Sequence, residues 1–323
     1  MQKVLVTAQS AKKLNFQKND GVSDMQKIFN RVLSFGLAAT MGLGVILAAH
    51  SASVEIIDSD AVADYYAPIT ATGGSELLGQ VHDLITTTHT YYTTYADCKD
   101  PAYVIKTDPG TDGALMEFYS QADLSSTWQS GAVGTWNREH LWCQSLSNGL
   151  WNNVNNNTTG GGSDLFHIRP TESRLNSTRN NNKYGIATGG KEAWYKDANG
   201  NNVALGGYYV GSSVFEPLDE VKGDVARIIM YVYTHYNTYS NVFGSANGSG
   251  SAGYFGTLAF SNVMAASSES AAISLLLEWN EADPVDEIET KRNKAVYEIQ
   301  GNRNPFVDHP EYADAIWGGG DVG

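Results

Sequence analysis

Two cysteines in 323 residues, and 21 Lys and Arg against 35 Asp and Glu, are the scarcities that bound this chain. Two thiols cannot make a cysteine-only zinc site or a disulfide-dense scaffold. They can still pair once, Cys98 with Cys143, in an oxidising compartment. The shortage of positive charge disfavours general adhesion to nucleic acid or anionic membrane. Long apolar runs are also missing, with one exception near the N terminus, so the rest of the chain has no bilayer-spanning segment.

That exception begins at Met25. Lys27 and Arg31 precede an apolar run from Val32 to Ala49, and small residues follow at 51–53. This is the three-part pattern of a secretory signal peptide over 25–53, with an uncleaved membrane anchor as the alternative. Residues 1–24 read as a mis-called start or an extension, and 54–74 as the N-terminal segment of the mature protein. The first 53 residues hold six Lys/Arg and two Asp/Glu, so 15 basic and 33 acidic side chains remain, a formal charge of −18. The mature chain is expected to be soluble and exported, either secreted or periplasmic.

Ser75 can cap a helix in which Leu77, Leu78, Val81, Leu84 and Ile85 repeat with helical spacing. Residues 101–136 mix short β-like runs such as "ALMEFYS" with turns. "SDLFHIRP" reads as a strand stopped by Pro170, and "TESRLNSTR" as a short helix with that proline near its first turn. Val221, Val225, Ile228, Ile229, Val232 and Tyr236 form one stripe of a core helix. "SNVFGSANGSGSAGYFG" reads as a mobile loop. Ile273 to Trp279 looks like a buried helix, and another opens at Asp283–Pro284, turns Val285, Ile288, Val296 and Ile299 inward, and stops at Gly301. No repeat or linker divides the chain, so one α+β domain is expected.

The chemistry concentrates in "WNREHLWCQS". Histidine suits proton removal from water near neutral pH, and glutamate suits a hard divalent cation. On a strand, Glu139 and His140 point to opposite faces unless the strand ends or bulges there. Downstream, Asn176 and Arg179 are three apart and share a helix face, with Arg169 and Glu172 close in sequence. An amide oxygen and a guanidinium beside a Glu-His pair suggest a metal site with a phosphate clamp.

Four stretches, "WNREHLWCQS", "SDLFHIRPTESRLNSTRNNNKYG", "FEPLDEVKGDVARIIMYVYTHY" and "IQGNRNPFVDHPEY", together resemble the bacterial endonuclease I family, secreted or periplasmic ββα-metal nucleases. The resemblance implies a nuclease domain over 75–317, with 318–323 as a C-terminal tail, and a ββα-metal finger motif packed among several helices. It places His140 as general base, Glu139 and Asn176 as metal ligands, and Arg179 as the arginine that meets the phosphate. It implies a monomer that cleaves DNA, and RNA in many members, with little sequence preference. The products carry 5′-phosphate ends, and the cofactor is Mg²⁺, with Mn²⁺ or Ca²⁺ as alternatives. Cys143 departs from the family's usual proline and Phe166 from a common histidine, and neither position carries an assigned role.

Other readings attach to single residues. His167 reads as a hydrogen-bonding support for its strand, "TTGGGSD" as a flexible connection, and Asp308–His309 as part of a turn tied down by Arg303. The −18 charge argues against an extended basic groove. Residues 138–183, however, hold five basic and three acidic side chains, a local +2. Two rivals stay open. A carbohydrate or cell-wall binding module would use the 18 tyrosines and seven tryptophans for stacking. A phosphodiesterase for small nucleotides would use the same catalytic set.

Overall fold

Apolar periodicity becomes a helical body against which short sheets are set. The computed structural model describes residues 59–126, 128, 135–188, 191–196, 201–210, 213–237 and 258–320. The expected signal peptide and the 240–256 loop lie outside these. The helices are α1 (Ser59–Tyr66), α2 (Gly74–Thr88), α3 (Pro101–Thr107), α4 (Ser173–Arg179), α5 (Asp219–Tyr236), α6 (Phe260–Val263), α7 (Glu269–Ala282) and α8 (Glu287–Gln300), with short helical turns after Asn304. The strands are β1 (Leu115–Met116), β2 (Asp123–Leu124), β3 (Trp136–His140), β4 (Ile168–Glu172), β5 (Lys183–Tyr184), β6 (Lys191–Lys196), β7 (Asn202–Val210) and β8 (Val214–Glu216). Ile57 to Gly323 clusters as one unit, and the architecture is α+β. Among the described residues, no helix is long and apolar enough to cross a membrane.

The expected stripe of α5 is buried throughout, from Val221 to Tyr236. At about 1.5–3 kcal/mol per large aliphatic side chain removed from water, it is a principal anchor of the core. The α2 stripe from Leu77 to Ile85 is buried as well. Its N-cap is Gly73 with no side-chain cap, so Ser75 lies inside the first turn rather than before it.

Helix α8 differs from its expected apolar face. Its buried residues are Glu289, Arg292, Asn293, Val296 and Gln300. These polar groups are inward because each has a partner: Arg227 Nε donates to Glu289 Oε1 at 2.7 Å, and Arg292 Nε to Asp108 Oδ1 at 2.9 Å. Gly301, with φ 87°, stops the helix as expected. Arg303 clasps Asp308 through two bonds of 2.6 and 2.8 Å and ties down the C-terminal turn.

Three separate sheets form: β1–β2, β3–β4, and a four-stranded sheet in the order β5-β8-β7-β6. The second sheet is an antiparallel ribbon that pairs Trp136 with Glu172 and His140 with Ile168. Pro170 does not stop β4 or open the helix; it lies in mid-strand opposite Arg138. In a two-stranded ribbon, one edge of β4 has no strand partner, so a missing N–H is tolerated there. Its carbonyl accepts from Phe118 N at 3.0 Å. Helix α4 starts at Ser173, capped by Glu172, whose Oε2 accepts from Arg174 N (2.8 Å) and Leu175 N (3.0 Å).

The expected Cys98–Cys143 disulfide is not formed; both thiols are free and buried. Cys98 Sγ donates to Ser163 O at 3.1 Å, and Cys143 Sγ donates to Asn180 O at 3.3 Å. Each sulfur is committed to its own carbonyl, and burial pushes both thiols above their ordinary pKa, Cys98 the further.

Candidate active site

The pleat of β3 sorts its residues into two networks. Trp136 anchors the strand's start in a small cluster with Val104, Leu115 and Leu124. At the other end, Glu139 and His140 are 3% and 6% exposed. They face different partners, as alternation along a strand requires.

His140 lies beside His167 and Tyr95, with ring centroids 5.4 Å away in each case. Its Nε2 is 3.0 Å from Gly162 O. A carbonyl only accepts, so Nε2 carries the hydrogen and Nδ1 keeps its lone pair. Burial, then the neighbouring His167, hold its pKa well below 6.5, so the ring is neutral at neutral pH. A neutral imidazole with one free nitrogen is the form a general base needs.

His167 is held in the same way but has nothing left over. Nδ1 donates to Gly161 O at 2.6 Å, and Nε2 accepts from Trp142 N at 3.0 Å. Both ring nitrogens serve the backbone, in agreement with a supporting role. The glycine segment that holds both histidines is a buried 3₁₀ turn, Gly160–Gly162, not a flexible connection. A methyl group on Gly161 would stand 2.7 Å from Trp151 Cε3, and one on Gly162 would stand 2.9 Å from Val154 Cγ2. Only glycine lets the backbone come close enough to offer two successive carbonyls.

Glu139 belongs to the opposite network. Oε1 accepts from Tyr119 Oη at 2.8 Å and lies 3.4 Å from Arg179 Nε. Tyr119 Oη is 2.6 Å from Tyr184 Oη, and the Arg179 guanidinium sits 4.5 Å from the Tyr184 ring. Burial raises the Glu139 pKa, and Arg179 and Tyr119 only partly counter it. Oε2 has no protein partner among the described residues. A buried carboxylate with an unused oxygen is suited to an added cation.

Helix α4 packs across both strands. Asn176 and Arg179 share one of its faces. Asn176 is half-buried, and its amide has no partner among the described residues. Arg179 is 1% exposed. Its Nη1 donates to His140 O at 3.3 Å, Asn180 O at 3.1 Å and Cys143 Sγ, and its Nη2 donates to Leu141 O at 2.5 Å. The guanidinium thus ties the last turn of the helix to the end of β3. Residues 139, 140 and 179 are joined directly; Asn176 lies one turn back on the same face.

The residues that sequence reasoning missed are those that hold this set. Tyr119 and Tyr184 carry no motif signal. Asp164 is a second omission. Its Oδ2 accepts from Tyr231 Oη (2.7 Å) and Tyr236 Oη (2.6 Å), and its Oδ1 accepts from Gln300 Nε2 (3.0 Å) and Phe166 N (2.8 Å). Burial alone would raise this carboxyl, but His89, His235 and the two tyrosines outweigh it and hold it below the usual range. His89, Asp164 and His235 bring ligand atoms within 4.8 Å of one another, the composition of a metal site. However, His89 Nδ1 is already 2.8 Å from His235 Nε2, and four donors already serve Asp164. Glu139 Oε2 and the Asn176 amide oxygen could each take a hard dication without a protein bond being broken first.

A two-stranded ribbon followed by a helix, with a buried neutral histidine at the strand end and oxygen ligands around it, is an arrangement suited to phosphodiester hydrolysis. The family model for Endonuclease I matches residues 74–311. The chain is 35% identical over 286 residues to an extracellular ribonuclease of Bacillus amyloliquefaciens, with 87% of both proteins covered. It is 35% identical over 281 residues to an extracellular ribonuclease of Bacillus subtilis, with 85% of both covered. The protein belongs to the Endonuclease I family and is a nuclease.

Proposed function

We propose that this protein is an exported, divalent-metal-dependent endonuclease with little sequence preference that hydrolyses RNA and DNA to 5′-phosphate ends. The observation that carries the reading is the His140 tautomer: Gly162 holds the proton on Nε2 and leaves Nδ1 as an acceptor. The names of the two Bacillus relatives support RNA as a substrate and an extracellular location.

In this reading, His140 Nδ1 takes a proton from water as the water oxygen attacks phosphorus in line. The bond from phosphorus to the 3′ oxygen breaks, and that oxygen leaves with a proton from solvent. Glu139 and Asn176 would hold one Mg²⁺ or similar ion, which when bound supplies charge neutralisation at the departing oxygen. Arg179 adds a fixed positive charge beside Glu139, held in place by carbonyls rather than free to swing.

The test is cleavage of RNA and of supercoiled plasmid with metal or with excess EDTA, followed by metal titration of two variants. His140→Ala lowers the rate by about 10²–10⁴-fold at every metal concentration. Glu139→Ala is partly rescued by raised Mg²⁺ or Mn²⁺. Undiminished cleavage in EDTA, or rescue of His140→Ala by metal while Glu139→Ala stays inactive, overturns the assignment.

A further inference from the structure

Arg138 is two residues from His140 on the same face of β3, and its role lies outside the hydrolytic set. Its guanidinium rests 3.3 Å from the Tyr95 ring, the ring that also flanks His140. The centroid of the Trp128 ring is 5.1 Å from the Arg138 Cζ. Lys99 Nζ approaches the same Trp128 ring at 5.2 Å. Trp128 is itself held edge-on by buried Trp136, at 4.8 Å. The base is therefore continuous with a half-buried ridge of two aromatic rings and two cations, from His140 through Tyr95, Arg138 and Trp128 to Lys99.

These cations are not neutralised by acidic side chains. Among the described residues, no carboxylate lies within ion-pair distance of either. Arg138 Nη1 donates to Tyr95 O, and among the described residues its buried Nε has no acceptor. The acids beside Lys99 are otherwise engaged: Asp97 Oδ2 accepts from Thr94 N (2.8 Å) and Asp100 Oδ1 from Ala102 N (2.8 Å). In a chain this acidic, two unpaired cations braced on one indole have a purpose that packing alone does not supply. Aromatic backing fixes their position and lowers their hydration, which suits capture of a polyanion.

We propose that Arg138 and Lys99 bind a phosphate of the polynucleotide strand next to the one being cleaved, with Trp128 as their shared support. The proposal rests on the nuclease reading above and deepens it. A small-nucleotide diester has no second phosphate to place there, so the ridge selects extended strands.

The experiment measures the binding of a fluorescein-labelled 12-nucleotide RNA in EDTA by anisotropy across a series of NaCl concentrations. Each lost phosphate contact reduces the slope of log affinity against log salt by about 0.7 for a single strand. Lys99→Gln and Arg138→Gln are each expected to flatten the slope, by up to that amount, and to raise KM for long RNA. Lys106→Gln, which removes a lysine paired with Glu298 at 2.8 Å, leaves the slope unchanged. Arg138→Lys retains the charge and the slope, and Lys99→Gln decides alone should Arg138→Gln fail to fold. Slopes for Lys99→Gln and Arg138→Gln equal to that of the unmodified protein overturn the subsite. If the unmodified protein cleaves neither RNA nor plasmid in Mg²⁺, the proposed function itself has failed.

Discussion

Replacing Tyr119 by phenylalanine removes one oxygen atom and probes the side of the site where Glu139 is proposed to hold the metal. That hydroxyl donates to Glu139 Oε1 at 2.8 Å from a fully buried ring. A hydrogen bond to a charged group contributes about 1.5–3 kcal/mol. At about 1.4 kcal/mol per tenfold, its loss should raise the Mg²⁺ concentration for half-maximal rate by roughly 10-fold or more, within the usual range for such outer partners. At saturating metal the rate should recover, because His140 is on the other face of β3. The change also strands the Tyr184 hydroxyl, 2.6 Å away, at an expected cost of about 1–3 kcal/mol in stability. Tyr184→Phe is the matched comparison, since it leaves the Tyr119–Glu139 bond in place and should shift metal dependence much less. The assay is initial RNA hydrolysis across a Mg²⁺ titration, with urea unfolding of both variants. A well-folded Tyr119→Phe protein with unchanged half-saturation would refute the argument that this hydroxyl holds the metal ligand.

Gly162→Ala should lower kcat by roughly 10–100-fold through displacement of the carbonyl that fixes His140, with metal half-saturation unaltered; equal kcat would mean that the turn does not position the base. Glu117 is fully buried and pushed up to about 7. Its native carboxyl binds a proton between about pH 4.5 and 7 where the unfolded chain does not, so stability should fall by up to about 3 kcal/mol as pH rises through that window. Glu117→Gln should abolish that slope in denaturant titrations at pH 5 and pH 8. Thiol titration without reductant should find no reactive group in the native protein and two after denaturation; none after denaturation would show a disulfide.

The parts of this structure legible in the sequence are those set by local periodicity and by motif. The α5 stripe needed only the 3.6-residue repeat, and Glu139 and His140 were visible as costly neighbours in an apolar setting. Pro170 misled because its local preference for ending a strand is overridden when the strand lies at an open edge. The α8 face misled because burial of Glu289 and Arg292 depends on partners 62 and 184 residues away. The glycine turn hid its role for the same reason: what demands glycine is Trp151 and Val154, which no local pattern reveals. Nor could the cysteines announce that each would find a carbonyl instead of the other.

Asp164 sets a limit on how this catalytic motif can travel. It stands at the entry to β4, where its carbonyl accepts from His167 N and Ile168 N at 3.0 and 2.8 Å, and its carboxylate gathers donors from α5 and the end of α8. The ribbon and helix that carry the proposed site thus have their geometry set in part by two helices that contribute none of its residues. A peptide spanning 136–179 would carry every residue proposed for hydrolysis and yet lack the contacts that bend it into place. Grafting the motif onto another scaffold would require a foreign carboxylate site of matching reach, so the unit that can be inherited or engineered is the whole domain.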